Sequence, residues 1–107
     1  MDEAEAILII TDYIANFEWS WEGKKAEETA YLSYAKSAAY NLIDYIADMR
    51  NTGIYASLPD FEAIICIINQ FVLNMDEYSK KNPKTKYQFT VAHDIATNIF
   101  GIFYAMI

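Results

Sequence analysis

A chain of 107 residues has the length of a single domain. Hydrophobic residues make up 54% of it, which is enough to fill a core and argues against a disordered chain. The net charge of −7 disfavours direct binding to nucleic acid or to an anionic membrane surface, because both carry the same sign of charge.

Helical periodicity runs through most of the sequence and predicts four helices, at about residues 2–18, 24–51, 58–81 and 83–106. The first helix starts with acidic residues, which suit the positive end of a helix dipole. Gly23 marks the break before the second helix. The second helix is expected to end at Gly53 with a left-handed cap, since glycine adopts that conformation without strain.

The third and fourth helices are both preceded by a proline signal. In SLPDFE, Ser57 is the expected cap and Pro59 lies in the first turn, where a missing N–H group does no harm. Asn82 and Pro83 repeat this signal before the fourth helix. The last ten residues, NIFGIFYAMI, carry no charge, but the fourth helix has a polar half and is too short in apolar residues to span a membrane. Together these features predict an all-α, antiparallel four-helix bundle in one domain.

The residue types that usually carry catalysis are scarce. The one histidine, His93, and the one thiol, Cys66, lie in no local pattern that would activate either of them. The sequence contains no zinc, di-iron, phosphate-loop or dinucleotide motif. Asp44 and Asp48 are one helical turn apart, but two carboxylates are too few for a cation such as Ca²⁺. We therefore expect no catalytic residue, no metal and no cofactor.

Apolar residues outside the main helical stripes give the strongest indication of function. A helix in a small bundle needs only a limited apolar arc, so additional apolar residues predict a second surface that binds protein. The candidate partner-binding residues are Leu8, Ile9, Ile67 and Leu73, followed by Trp19 and Trp21. The two tryptophans rank second because this residue is common both at interface hot spots and over the end of a core. The prediction is a non-enzymatic interaction domain that forms a homo-oligomer.

Two alternative functions stay open. A small acidic inhibitor, of the kind found in phages and mobile elements, would block a nucleic-acid-binding enzyme by presenting carboxylates in place of phosphates. Its acidic surface would include Glu27, Glu28, Asp44 and Asp48. A carrier of an apolar ligand would instead need a cavity inside the bundle.

Four lysines crowd into the connection between the third and fourth helices: Lys80, Lys81, Lys84 and Lys86. A solvated helix end is the simplest interpretation. The alternatives are a contact with phosphate, with an acidic protein surface, or with the acidic N-terminus of a second copy.

The expected location is the cytoplasm. The single cysteine suits a reducing compartment, and the first residues are acidic where a secretory signal is positively charged. We expect protein partners, with no membrane and no direct nucleic-acid contact.

Overall fold

Four α-helices make up most of the molecule. The computed structural model describes the backbone of residues 2–20 and 26–106, and the side chains of residues 2–17 and 30–106. The helices are α1 (Glu3–Ser20), α2 (Ala26–Thr52), α3 (Asp60–Lys81) and α4 (Lys86–Tyr104), with a 3-10 turn at Pro83–Thr85 just before α4. This arrangement confirms the predicted all-α four-helix bundle.

Aromatic contacts fix how the helices run past one another. Phe17 near the end of α1 meets Tyr31 near the start of α2, with 6.0 Å between ring centroids. Tyr78 near the end of α3 meets Phe89 near the start of α4 at 5.5 Å. These contacts bring the end of one helix beside the start of the next, so α1 is antiparallel to α2 and α3 is antiparallel to α4.

One core joins all four helices. The most extensive contact lies between α3 and α4, while α2 packs against both α4 and α1. The core follows the apolar periodicity of each helix and is built from the following buried side chains: Ala6, Ile10, Ile14, Ala35, Ala38, Ala39, Leu42, Ile46, Ile64, Ile67, Ile68, Phe71, Val91, Ala92, Ile95, Ala96, Ile99 and Phe103. Alanines on α2 and α4 let the neighbouring helices approach closely, and isoleucines fill the space between them.

The end of α2 has the predicted cap, whereas the start of α3 differs from the prediction. Gly53 adopts φ +75°, which is the expected left-handed conformation. The helix α3 begins at Asp60 with Pro59 before it as the N-cap residue, and no side chain caps its first turn. The prediction that Ser57 caps this helix is therefore wrong. The chain uses residues 53–57 to reverse direction, and turn hydrogen bonds such as Ala56 N–H to the Gly53 carbonyl (3.1 Å) hold them there.

The connection from α3 to α4 also departs from the predicted pattern. Pro83 begins the 3-10 turn, in agreement with a proline at a helix start. The side-chain amide of Asn82, however, donates to the Tyr78 carbonyl at 2.9 Å, so it caps the end of α3 rather than the start of the next helix. Neither Asn82 nor Thr85 makes a side-chain capping hydrogen bond to the segment that follows. Among the described residues, no helix is long and apolar enough to cross a membrane.

Candidate interaction surfaces

Leu8 lies in the middle of the outward face of α1 and is 62% exposed. Ala4 and Ala15 are exposed one turn before it and two turns after it, and Glu5 and Asp12 are exposed at the −3 and +4 positions. Residues at these spacings share one face of a helix. We call this set the acidic α1 face: an apolar strip centred on Leu8 with two carboxylates beside it.

The other aliphatic candidates occupy three different environments. Ile67 is fully buried in the core, so its prediction as a partner-binding residue is wrong. The helix α3 contacts α4, α2 and α1, and this central position requires a wider apolar arc than a peripheral helix needs. Ile9 is half-buried against the core. Leu73 is 53% exposed on α3, which leaves it accessible to a partner.

The tryptophan candidates and two of the acidic candidates fall outside the described residues. The backbone of Trp19 belongs to the last turn of α1, but its side chain and the whole of Trp21 are outside the described part. The same holds for the side chains of Glu27 and Glu28.

The described half of the candidate acidic surface lies on α2. Asp44 and Asp48 are exposed there, one turn apart. The oppositely charged Lys36 lies between this pair and Glu27–Glu28 along the helix. The acidic inhibitor therefore stays a prediction.

Two of the four lysines in the α3–α4 connection are paired within α3. The Lys80 ammonium lies 2.9 Å from the Asp76 carboxylate, and Lys81 pairs with Glu77 at the same i, i+4 spacing. The hydrogen bond from Lys80 lowers the pKa of Asp76, and the hydrogen bond to Glu77 raises the pKa of Lys81. These pairs are local to the end of α3. Two of the four lysines therefore need no second protein to balance their charge.

Lys84 and Lys86 are in a different position. Both are exposed, and neither forms an ion pair or a hydrogen bond through its side chain with any described residue. They lie in the 3-10 turn and at the first residue of α4, where no acidic residue occupies the first turn of either segment. The N-terminal end of a helix carries a positive partial charge, so these two cations oppose the dipole of α4. Nothing in the described part of the chain compensates them.

Two tyrosines beside these lysines expose large apolar area. Tyr78 is 43% exposed and packs on Phe89, and Tyr87 is 54% exposed and meets Tyr34 edge-on at 5.7 Å. The ring contacts hold both tyrosines in place. We call Lys84, Lys86 and the adjacent Tyr87 the basic loop patch. Tyr87 was not among the residues predicted from the sequence, although it directly follows Lys86 and lies outside the apolar stripe of α4.

The Cys66 thiol and the His93 imidazole lie at different heights along the axes of the α3–α4 pair. The contact between Tyr78 and Phe89 sets the register of these antiparallel helices. Cys66 is twelve residues before Tyr78, whereas His93 is only four residues after Phe89. The difference of eight residues corresponds to about 12 Å along the helix axis. His93 instead faces the Asp94 carboxylate, with Nδ1 3.7 Å from it, and Cys66 is half-buried.

The described residues contain no group of three or more His, Cys, Asp or Glu side chains that could hold a metal ion.

Two hollows bear on the ligand-carrier hypothesis. A cavity of about 90 Å³ lies where α2, α3 and α4 meet, with Ala38, Phe71 and Phe89 in its lining, and is small compared with sites for drug-sized ligands. A larger hollow of about 410 Å³ opens on the outer surface of α2 beside Leu32 and Tyr40. Neither is a large site inside the bundle, so neither supports an internally bound ligand.

No protein-family model, curated protein or solved structure matches the chain. The functional argument therefore depends on the surfaces of this molecule.

Proposed function

We propose that the protein is a non-enzymatic helical interaction domain that works by binding copies of itself into a homo-oligomer. The observation that carries this proposal is the environment of Leu8, a large aliphatic side chain that is 62% exposed between the exposed Ala4 and Ala15. Burying a leucine side chain stabilises a contact by about 2 kcal/mol. Small residues on either side of it allow the backbone of a partner helix to come close.

Leu73 on α3 offers a second, separate contact point. Its side chain is 53% exposed. We rank it below Leu8 because the proposal needs an apolar strip and not a single side chain. The proposed setting is the cytoplasm, with other proteins and not nucleic acid as partners, in keeping with a net charge of −7.

Light scattering after size exclusion tests the proposal. Leu8→Glu places a charge in the apolar strip and is expected to reduce the mass in solution to that of one chain, 12.3 kDa. Ile54→Glu is a matched control, because Ile54 is 64% exposed but lies in the turn after α2 and not on a helix face. Leu73→Glu tests the second contact point separately. An assembly that survives Leu8→Glu unchanged would exclude the α1 surface.

A further inference from the structure

We propose that the basic loop patch of one copy binds the acidic α1 face of a second copy, so that the chains associate head to tail. This inference depends on the proposed self-association and names the two surfaces that perform it. The occupant of the basic loop patch is thus a second molecule of the same chain.

Charge complementarity is the first support. The basic loop patch offers Lys84 and Lys86, whose ammonium groups have no partner among the described residues. The acidic α1 face offers Glu5 and Asp12, which are exposed on both sides of Leu8 along the helix and form no described ion pair. Each surface therefore has two charges that are unpaired among the described residues and are of the sign that the other surface lacks. Opposed patches of this kind orient two proteins before contact and disfavour wrong partners.

Apolar complementarity is the second support. Leu8 lies between the two acids of α1 along the helix, and the exposed ring of Tyr87 directly follows Lys86. The Tyr87 ring is held by its edge-on contact with Tyr34, so little conformational entropy is lost when a leucine packs against it. Tyrosine is also among the residues enriched in the centres of interfaces. Each surface thus combines an apolar centre with charges at its edge.

The centres of the two surfaces lie at different heights along one copy. The ring contact between Tyr34 and Tyr87 places the start of α4 beside the first half of α2. The contact between Phe17 and Tyr31 places the end of α1 at that same level. Leu8 is nine residues before Phe17, which is about 13 Å further along the molecule. Two different surfaces on one chain give a heterologous contact, which forms a ring if the rotation closes and a filament if it does not.

The position of the lysines is the third support. Cations at the N-terminal end of α4 weaken that helix, since acidic residues are the favourable ones there. No described residue of the same copy offsets this unfavourable arrangement. A contact with Glu5 and Asp12 of a second copy would make this arrangement favourable. The carboxylates would then face both the lysines and the positive end of the α4 dipole.

Two variants, each damaged on one surface, test the inference by complementation. Glu5→Lys/Asp12→Lys reverses the acidic α1 face, and Lys84→Glu/Lys86→Glu reverses the basic loop patch. The self-association constant of each variant alone is expected to fall roughly tenfold or more, because like charges then face each other. In an equimolar mixture the two intact surfaces are complementary, and the two reversed surfaces also carry opposite charges. The mixture is therefore expected to regain association, into species that contain both variants and are heavier than the 12.3 kDa of one chain.

Two variants with the same net charge separate the effect of the local contact from the effect of overall charge. Lys84→Gln/Lys86→Gln changes the net charge from −7 to −9, and so does Asn51→Asp/Asn69→Asp at exposed positions outside both surfaces. Only the first variant is expected to weaken self-association. Equal weakening by both variants would mean that net repulsion, and not the basic loop patch, controls assembly, and would overturn the inference.

Thermal unfolding of dilute, monomeric protein shows whether a charge-reversed variant fails to assemble because it fails to fold. Lys84→Glu/Lys86→Glu places acidic residues at the N-terminal end of α4, so this variant is expected to raise the Tm of the monomer while it abolishes assembly. Wild-type protein that stays monomeric at every concentration would overturn both the proposed function and this inference. Wild-type protein that assembles, with both charge-reversed variants still assembling alone, would overturn only the inference.

Discussion

The Arg50 guanidinium lies 2.6 Å from the Asp60 carboxylate and joins the end of α2 to the first residue of α3. Both charges are placed favourably, since a cation suits the C-terminal end of a helix and an anion suits the N-terminal end. The pair spans the turn in which Gly53 reverses the chain. It therefore acts where the first turn of α3 has no side-chain cap of its own.

Removing this ion pair is expected to destabilise the fold modestly. Arg50→Met keeps the aliphatic stem but loses the charge, and should lower the free energy of unfolding by about 0.5–1 kcal/mol. The effect stays small because the Asp60 side chain is 54% exposed and solvent screens the interaction. Urea unfolding measures it, and a cycle with Asp60→Asn isolates the pair. Coupling near zero in that cycle would show that the contact contributes nothing.

Two glycines are expected to respond in opposite directions to the same substitution. Gly101→Ala should raise the free energy of unfolding by about 0.5–1 kcal/mol, because the residue lies inside α4 and an added Cβ meets no atom. Gly53→Ala should lower it by about 1–2 kcal/mol, because φ is +75° there and an L side chain is strained in that conformation. Denaturant midpoints compare the two directly. A stabilising Gly53→Ala variant would contradict the observed cap.

Ile67 and Leu73 are expected to differ sharply although both are aliphatic residues of α3. Ile67→Ala should cost about 2–5 kcal/mol of stability, because it leaves a cavity in a fully buried site. Leu73→Ala should change the stability of the monomer by less than about 0.5 kcal/mol, since the residue is 53% exposed. Urea unfolding at low protein concentration compares them. Equal losses would contradict the assignment of Ile67 to the core and of Leu73 to the surface.

Two tyrosines are expected to ionise late in an alkaline titration. Burial, reinforced by the charge of Asp94, raises the pKa of Tyr31. Burial also raises the pKa of Tyr45, and the hydrogen bond from the Asn74 amide opposes that rise only in part. Because both shifts raise the folded-state pKa, the stability they contribute is present below about pH 10 and is lost as the pH rises further.

Tyrosinate absorbance measures this directly. The variant Tyr31→Phe/Tyr45→Phe should lose the late-ionising part of the signal and should also lose less stability between neutral and alkaline pH. A late phase of unchanged size in that variant would contradict the assignment.

Apolar periodicity was sufficient to predict four helices, because each one buries a face that repeats at helical spacing. It was not sufficient to place Ile67. A helical projection shows how wide an apolar arc is, but not how many neighbours cover it, and α3 contacts three other helices. Leu8 on peripheral α1 and Ile67 on central α3 have similar sequence surroundings and opposite exposure.

The basic cluster was only partly predictable. The pairs Lys80–Asp76 and Lys81–Glu77 follow from i, i+4 spacing and were visible in the sequence. The exposure of Lys84, Lys86 and Tyr87, and the lack of a described partner for the two lysines, depend on where the 3-10 turn ends and α4 begins. Such a boundary is set by tertiary packing and is the least certain part of any sequence-based assignment.

Sedimentation equilibrium of the wild-type protein over a wide concentration range tests the central claim most directly. Self-association predicts an average mass that rises with concentration above the 12.3 kDa of one chain, and a head-to-tail contact predicts species beyond the dimer. A mass that stays at 12.3 kDa up to the highest concentration would contradict the claim that this domain binds copies of itself.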